Sequence, residues 1–142
     1  MESWQVRALD CFPELAKEIT ERNQSGPMDL MDTLYLALVK SYGANPINDD
    51  LIGRIYDYAA WCFAQPKVED SNIDLGNTVA VGLIENLSLD KHITDDLYRW
   101  FSVETFDGCE QLLRHHLSED EYRKLVGDFM LKKRSYSKPS RL

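Results

Sequence analysis

The sequence lacks most of the features that announce a biochemical activity. It contains no GxGxxG, no phosphate-binding loop and no GxSxG, and no HxxxH, CxxC or carboxylate–histidine spacing that would hold a metal. No enzyme, cofactor or metal site is therefore expected from it. No apolar run approaches the roughly 20 residues of a membrane span. The start, MESWQVRALD, lacks the basic and apolar regions of a signal peptide, so the expected compartment is the cytoplasm. Cys11, Cys62 and Cys109 are odd in number, far apart and set among apolar neighbours, which argues for three small core residues and against a disulfide framework. With only seven glycines and five prolines in 142 residues, the composition is that of an ordinary globule of one domain.

Basic charge is scarce and unevenly placed. The net charge is −8, yet Lys132, Lys133, Arg134, Lys138 and Arg141 all lie in residues 132–142, which hold no acid. The first 131 residues thus set 11 basic side chains against 24 acidic ones, about −13. Such a body repels nucleic acid and anionic lipid and attracts a basic protein surface, although solubility alone would also explain it. The segment KKRSYSKPSRL is too short for a nucleic-acid module. The expected organisation is one helical domain over 1–131 and a frayed basic tail over 132–142.

What the chain does have is helical periodicity. The most apolar and aromatic stretch between turn signals is Asp49 to Gln65, with Leu51, Ile52, Ile55, Ala59, Cys62 and Phe63 in a stripe that Tyr56, Tyr58, Ala60 and Trp61 widen. A helix apolar nearly all round is a buried one, so the rest is expected to pack around it. Asn48 is its expected N-cap, Asp49 and Asp50 suit its first turn, and Pro66 stops it. Ahead of it, Ser3 caps a helix that Pro13 breaks after Cys11, Asn23 to Gly26 turn, and Met28 to Ser41 form a second main helix opened by Pro27 and closed at Gly43. After it come a helix over 72–89, whose run Thr78 to Val81 imitates a strand, and one from Thr94 through Phe101. A further piece covers 104–116, and a last helix starts from the capping box Ser118 to Glu121. Gly76 and Gly82 inside the fourth helix suggest close approach by a neighbouring backbone. The fold class is all-α, with about six main helices in three antiparallel hairpins. The second members of these hairpins begin near 28, 72 and 119. That spacing fits a HEAT- or armadillo-like stack, with an irregular helical bundle as the alternative.

Two sets of residues are candidates for a site. The acidic rims Asp49 and Asp50, and Glu69, Asp70 and Asp74, would steer a basic protein partner. Tyr56, Asp57, Tyr58, Trp61 and Asn77 would line a pocket between the central and fourth helices. Against the pocket, Asp57 has Arg54 one turn away, and Asn77 would fix the hairpin register by bonding to the central helix. Paired carboxylates elsewhere stand at helix starts, where capping explains them. His115 and His116, adjacent on an expected helix, point about 100° apart and are not expected to share an ion.

Three clusters carry a resemblance: Phe12-Pro13-Glu14-Leu15; Ile55-Tyr56-Asp57-Tyr58 with Trp61-Cys62; and Asn77-Thr78-Val79-Ala80-Val81 with Ile84-Glu85-Asn86-Leu87. Together they resemble a family of small bacterial helical proteins without an established activity, over most of residues 10–130. In style these are similar to the immunity proteins of bacterial toxin systems, which are small, acidic and cytoplasmic. The resemblance implies a protein that binds and neutralises a basic toxin; a small-molecule-binding or regulatory helical domain is the other expectation.

Overall fold

The computed structural model describes residues 1–22 and 26–142, so the expected turn at 23–26 lies outside them except for Gly26. Among the described residues the structure is all-α: α1 Ser3–Cys11, α2 Ala16–Arg22, α3 Pro27–Gly43, α4 Asp49–Phe63, α5 Leu75–Gly82, α6 Lys91–Asp95, α7 Val103–Gly108, α8 Glu110–Leu113 and α9 Glu119–Arg134. Short 3-10 runs cover Pro13–Leu15, Ile84–Leu89 and Leu97–Arg99. Among the described residues no strand forms, and residues 78–81 are helical, with Thr78 and Val79 on the buried face of α5 and Val81 turned outward at 41% exposure. None of the described helices is long and apolar enough to cross a membrane.

Local rules place several boundaries. Pro13 lacks an amide hydrogen and disfavours helix at Phe12, so α1 ends at Cys11 and the chain restarts through a 3-10 turn. Gly26, at φ +137°, makes the sharp entry to Pro27 that a side chain would resist. Asn48 accepts a hydrogen bond from the Leu51 amide at 3.2 Å, and the Ser118–Glu121 capping box is formed as the sequence implies.

Other boundaries move. Glu2, paired with Gln5, caps α1, leaving Ser3 as its first residue. The expected helix over 72–89 starts at Leu75, because Asp74 takes the N-cap. It tightens into a 3-10 run after Gly82, with Leu83, Ile84 and Leu87 still fully buried. Asp90, and not Thr94, caps α6. The piece over 104–116 divides at Cys109, and α8 ends at Leu113. His115 and His116 therefore sit beyond the helix, and the argument that a helix points them apart fails.

α3, α4 and α5 pack on one another and form the centre, with α1 on α4 and α2 on α3. α4 buries Leu51, Ile52, Ile55, Tyr56, Tyr58, Ala59 and Cys62, as its pattern implies, but Phe63 of the same stripe ends the helix 40% exposed. Aromatic contacts extend the core: Tyr58 edge-on to Phe12, Tyr56 edge-on to Phe101, and Phe106 stacked on Phe129 with centroids 3.9 Å apart. The expected stacking of one hairpin on the next is found between the first two, α1 lying on α4 and α3 on α5. A repeat would set α9 on α5, but α9 packs on α6 and the 97–99 turn, which makes the architecture an irregular helical bundle.

The tail is docked, not frayed. The Arg141 and Leu142 amides both donate to Trp100 O at 2.9 Å, and the Ser102 amide donates to Leu142 O at 2.8 Å. Lys133 Nζ donates to Tyr98 O, Phe101 O and Ser140 Oγ, and this burial lowers its pKa. Lys132, Lys133 and Arg141 of this segment thus serve backbone carbonyls and Asp57, and charge composition alone gave no sign of it.

Candidate functional site

The candidate site is the connection from Phe63 to Ile73 between α4 and α5, and Asp74 builds it. Its carboxylate accepts the Val68 amide at 2.9 Å and, as N-cap of α5, the Asn77 amide at 2.8 Å. These two bonds hold the Asp74 carboxyl below the ordinary carboxylate range, the Val68 bond contributing most. Asp70 supports the turn from within, its backbone oxygen accepting from the Ile73 and Asp74 amides and its side chain from the Asn72 amide. Asn77 Nδ2 adds a bond to Ser71 O at 3.1 Å. The loop is thus fixed by its own hydrogen bonds, although it has no regular structure.

Its outward side chains include apolar and acidic ones, with Lys67 as the one exposed basic residue of the connection. Phe63 and Val68 are each 40% exposed and Ile73 58%, while Glu69 and Asp70 are exposed without an ion-pair partner among the described residues. Phe63 flanks the start of α5, its ring 4.0 Å from where a Cβ on Gly76 would stand. That is ordinary contact, so the close backbone approach expected at Gly76 is not found; at Gly82 the approach is close, but it is made by the Met28 and Met31 side chains of α3 and not by backbone. Three partly exposed apolar side chains within eleven residues are a stronger signal than the acids alone. It was readable in the sequence only by knowing that these side chains face outward.

The remaining acidic candidates are engaged elsewhere. Asp74 is buried by its capping role and is no part of a rim. Asp50 pairs with Arg54, whose guanidinium also holds Glu14 through two bonds of 2.7 and 2.8 Å and donates to Cys11 O. Asp49 pairs with Arg99, which reaches Asp96 at 2.8 Å; Asp96 in turn accepts from Tyr42 Oη at 2.6 Å and Trp100 Nε1 at 3.1 Å. The first rim is therefore a lock between α4 and the segments 11–14, 42 and 96–100. Asp50–Arg54, Asp96–Arg99 and Asp96–Trp100 are helical neighbours three or four residues apart. The contacts of Arg54 with Glu14, of Arg99 with Asp49 and of Tyr42 with Asp96 span some 40 to 54 residues, and no local pattern pairs them.

The five proposed pocket residues do not converge. Tyr56 is fully buried in the core, and its Oη has no hydrogen-bond partner among the described residues. Tyr58 is buried with Oη donating to Trp4 O at 2.9 Å. Asp57 is exposed and pairs with Arg141 at 2.6 Å, since Arg54 is already taken. Trp61 is half-buried under Arg7, and Asn77 bonds to Ser71 and not to α4. Four surface depressions of about 280 to 400 Å³ are lined by other residues. The cysteines are free and half or fully buried, and burial pushes the Cys62 thiol up to about 12, which leaves almost no thiolate at neutral pH.

Compared with protein-family models, curated proteins and solved structures, the chain has no match. The family likeness read from residues 10–130 gains no support from these comparisons.

Proposed function

We propose that this chain is a non-catalytic, acidic protein-interaction domain that receives a basic protein partner on the 63–73 connection. One observation carries the reading: Phe63, Val68 and Ile73 stand exposed near Glu69 and Asp70, which have no ion-pair partner among the described residues, on a loop ordered by Asp74 whose one basic side chain is Lys67. Exposed apolar groups rimmed by charge mark interfaces, and a loop fixed in advance loses little conformational entropy on binding. The acids steer a basic partner and raise its association rate, while the apolar side chains supply the contact that holds it. An immunity protein that neutralises a basic toxin in the cytoplasm is the specific form this reading takes.

Affinity capture from host lysate tests it, using the wild type and a Glu69→Lys/Asp70→Lys variant at low and high salt. A basic protein retained by the wild type at low salt, released at high salt and lost with the variant is the expected result. Capture indifferent to both salt and variant would refute the reading. For the toxin form, co-expression should rescue growth from the captured protein.

A further inference from the structure

The 3-10 run Ile84–Leu89 and the turn between α8 and α9 carry three side chains that belong to different stretches of sequence. Glu85 Oε1 lies 3.4 Å from His115 Nε2, and the His115 and His116 rings meet edge to face with centroids 4.7 Å apart. One ligand atom from each of Glu85, His115 and His116 falls within 4.8 Å of the other two. Asn86 adds an oxygen, since its Nδ2 is engaged by Gly82 O at 3.2 Å and its Oδ1 stands 3.3 Å from His116 Nε2.

The fold holds both halves of this cluster. Leu83, Ile84 and Leu87 are fully buried and fix the 3-10 run under Glu85 and Asn86. On the other side, buried Leu113 precedes the turn and the Ser118 capping box follows it. Arg114 spans the turn by pairing with both Glu110 and Glu119. Within it, the His115 amide donates to Leu112 O and the Leu117 amide to Arg114 O. The two histidines are thus presented together by a turn anchored at each end, which is the condition for a preorganised ligand set.

We propose that Glu85, His115 and His116 bind one divalent transition-metal ion of the zinc class, with Asn86 as an outer oxygen. Two imidazoles and one carboxylate are a donor set suited to such ions and poorly suited to calcium or magnesium. Two ligands about 2.0 to 2.1 Å from a tetrahedral ion stand about 3.4 Å apart, which is already the Glu85–His115 separation. The exposed His116 ring can close the rest by side-chain rotation, leaving a fourth position to water. Taken singly, the contacts are two ordinary polar pairs; convergence of three ligand atoms makes them a site. It shares no residue with the 63–73 connection and does not depend on that reading.

Calorimetric titration of the untagged protein with ZnCl2 near neutral pH tests it, with MgCl2 as the comparison. One Zn2+ per chain is expected, with affinity lowered at least about tenfold in Glu85→Gln and abolished in His115→Asn/His116→Asn. Co2+ should give the intense visible bands of a tetrahedral site in the wild type and not in the double variant. Far-ultraviolet circular dichroism establishes that each variant is folded. Zn2+ held no better than Mg2+, or held equally by a folded double variant, overturns the proposal.

Discussion

Gly82→Ala should destabilise the protein although alanine is the better helix former. Gly82 is the last residue of α5, buried where α5 packs on α3. A Cβ there would fall 2.7 Å from Met31 Cβ, 2.8 Å from Met28 Sδ and 3.0 Å from Met31 Cγ. Met28 Sδ ends a flexible side chain and can swing aside. Met31 Cβ is fixed to the α3 backbone, and Met31 is fully buried, so relief requires the two helices to separate by several tenths of an ångström. Overpacking of this kind costs about 1 to 3 kcal/mol. Replacing a helical glycine returns at most about 1 kcal/mol, and less at a helix end. The expected net loss is about 1 to 2 kcal/mol, a fall in Tm of roughly 3 to 8 °C at this chain length. Gly127→Ala is the matched control, because nothing lies within 4 Å of its Cβ position on α9 and helix propensity alone should stabilise by about 0.5 to 1 kcal/mol. Urea unfolding of the three proteins, with slopes compared, measures both effects. A Gly82→Ala protein at least as stable as wild type, beside a normally behaved Gly127→Ala, would refute the close-approach argument.

The two central tyrosines should respond oppositely to loss of the hydroxyl. Tyr58→Phe removes the bond to Trp4 O and should cost about 1 kcal/mol, whereas Tyr56→Phe removes a buried hydroxyl without a partner and should be neutral or stabilising in the same unfolding assay. Asp74 has a folded-state pKa below its unfolded one, so its charge stabilises the fold above the unfolded value of about 4. That contribution is lost as pH falls through the lower folded value. The Tm gap between wild type and Asp74→Asn should accordingly be constant from pH 7 to about 5 and shrink below about 4, and a gap that widens in acid would contradict the assignment. Deleting residues 135–142 should lower Tm and increase Trp100 exposure to a fluorescence quencher, whereas Arg141→Ala alone should cost no more than about 1 kcal/mol because its partner Asp57 is half exposed; a deletion without effect on Tm would return the tail to the frayed state.

Much of the helical framework is legible in the sequence because it depends on contacts within one turn. Asn48 and Ser118 cap helices through bonds three residues away, Pro13 breaks one through its own ring, and the α4 stripe needs only the 3.6-residue period. Asp74 and Asp90 are cap-type residues too, yet neighbouring Asn72 and Thr94 offer the same chemistry. Asp74 stands out because its second oxygen also holds Val68, which ties the start of α5 to the loop before it. Of the candidate site, Glu69 and Asp70 were readable as exposed acids. Asp50 stands four residues before Arg54, a pairing that helical spacing already offers, whereas nothing local told that Arg99 would take Asp49.

The same division runs through the whole protein. The all-α class, the buried character of α4 and the acidic body follow from residue type and short-range spacing. The tertiary structure alone decided that the basic tail would return to Trp100 and Asp57 and that Tyr56 and Asp57 would be separated between core and surface. It alone also decided that His115 and His116 would meet Glu85. Each of those outcomes rests on groups 30 or more residues apart, or on where a short helix stops, and such contacts arise only when the apolar faces of the helices have been packed together.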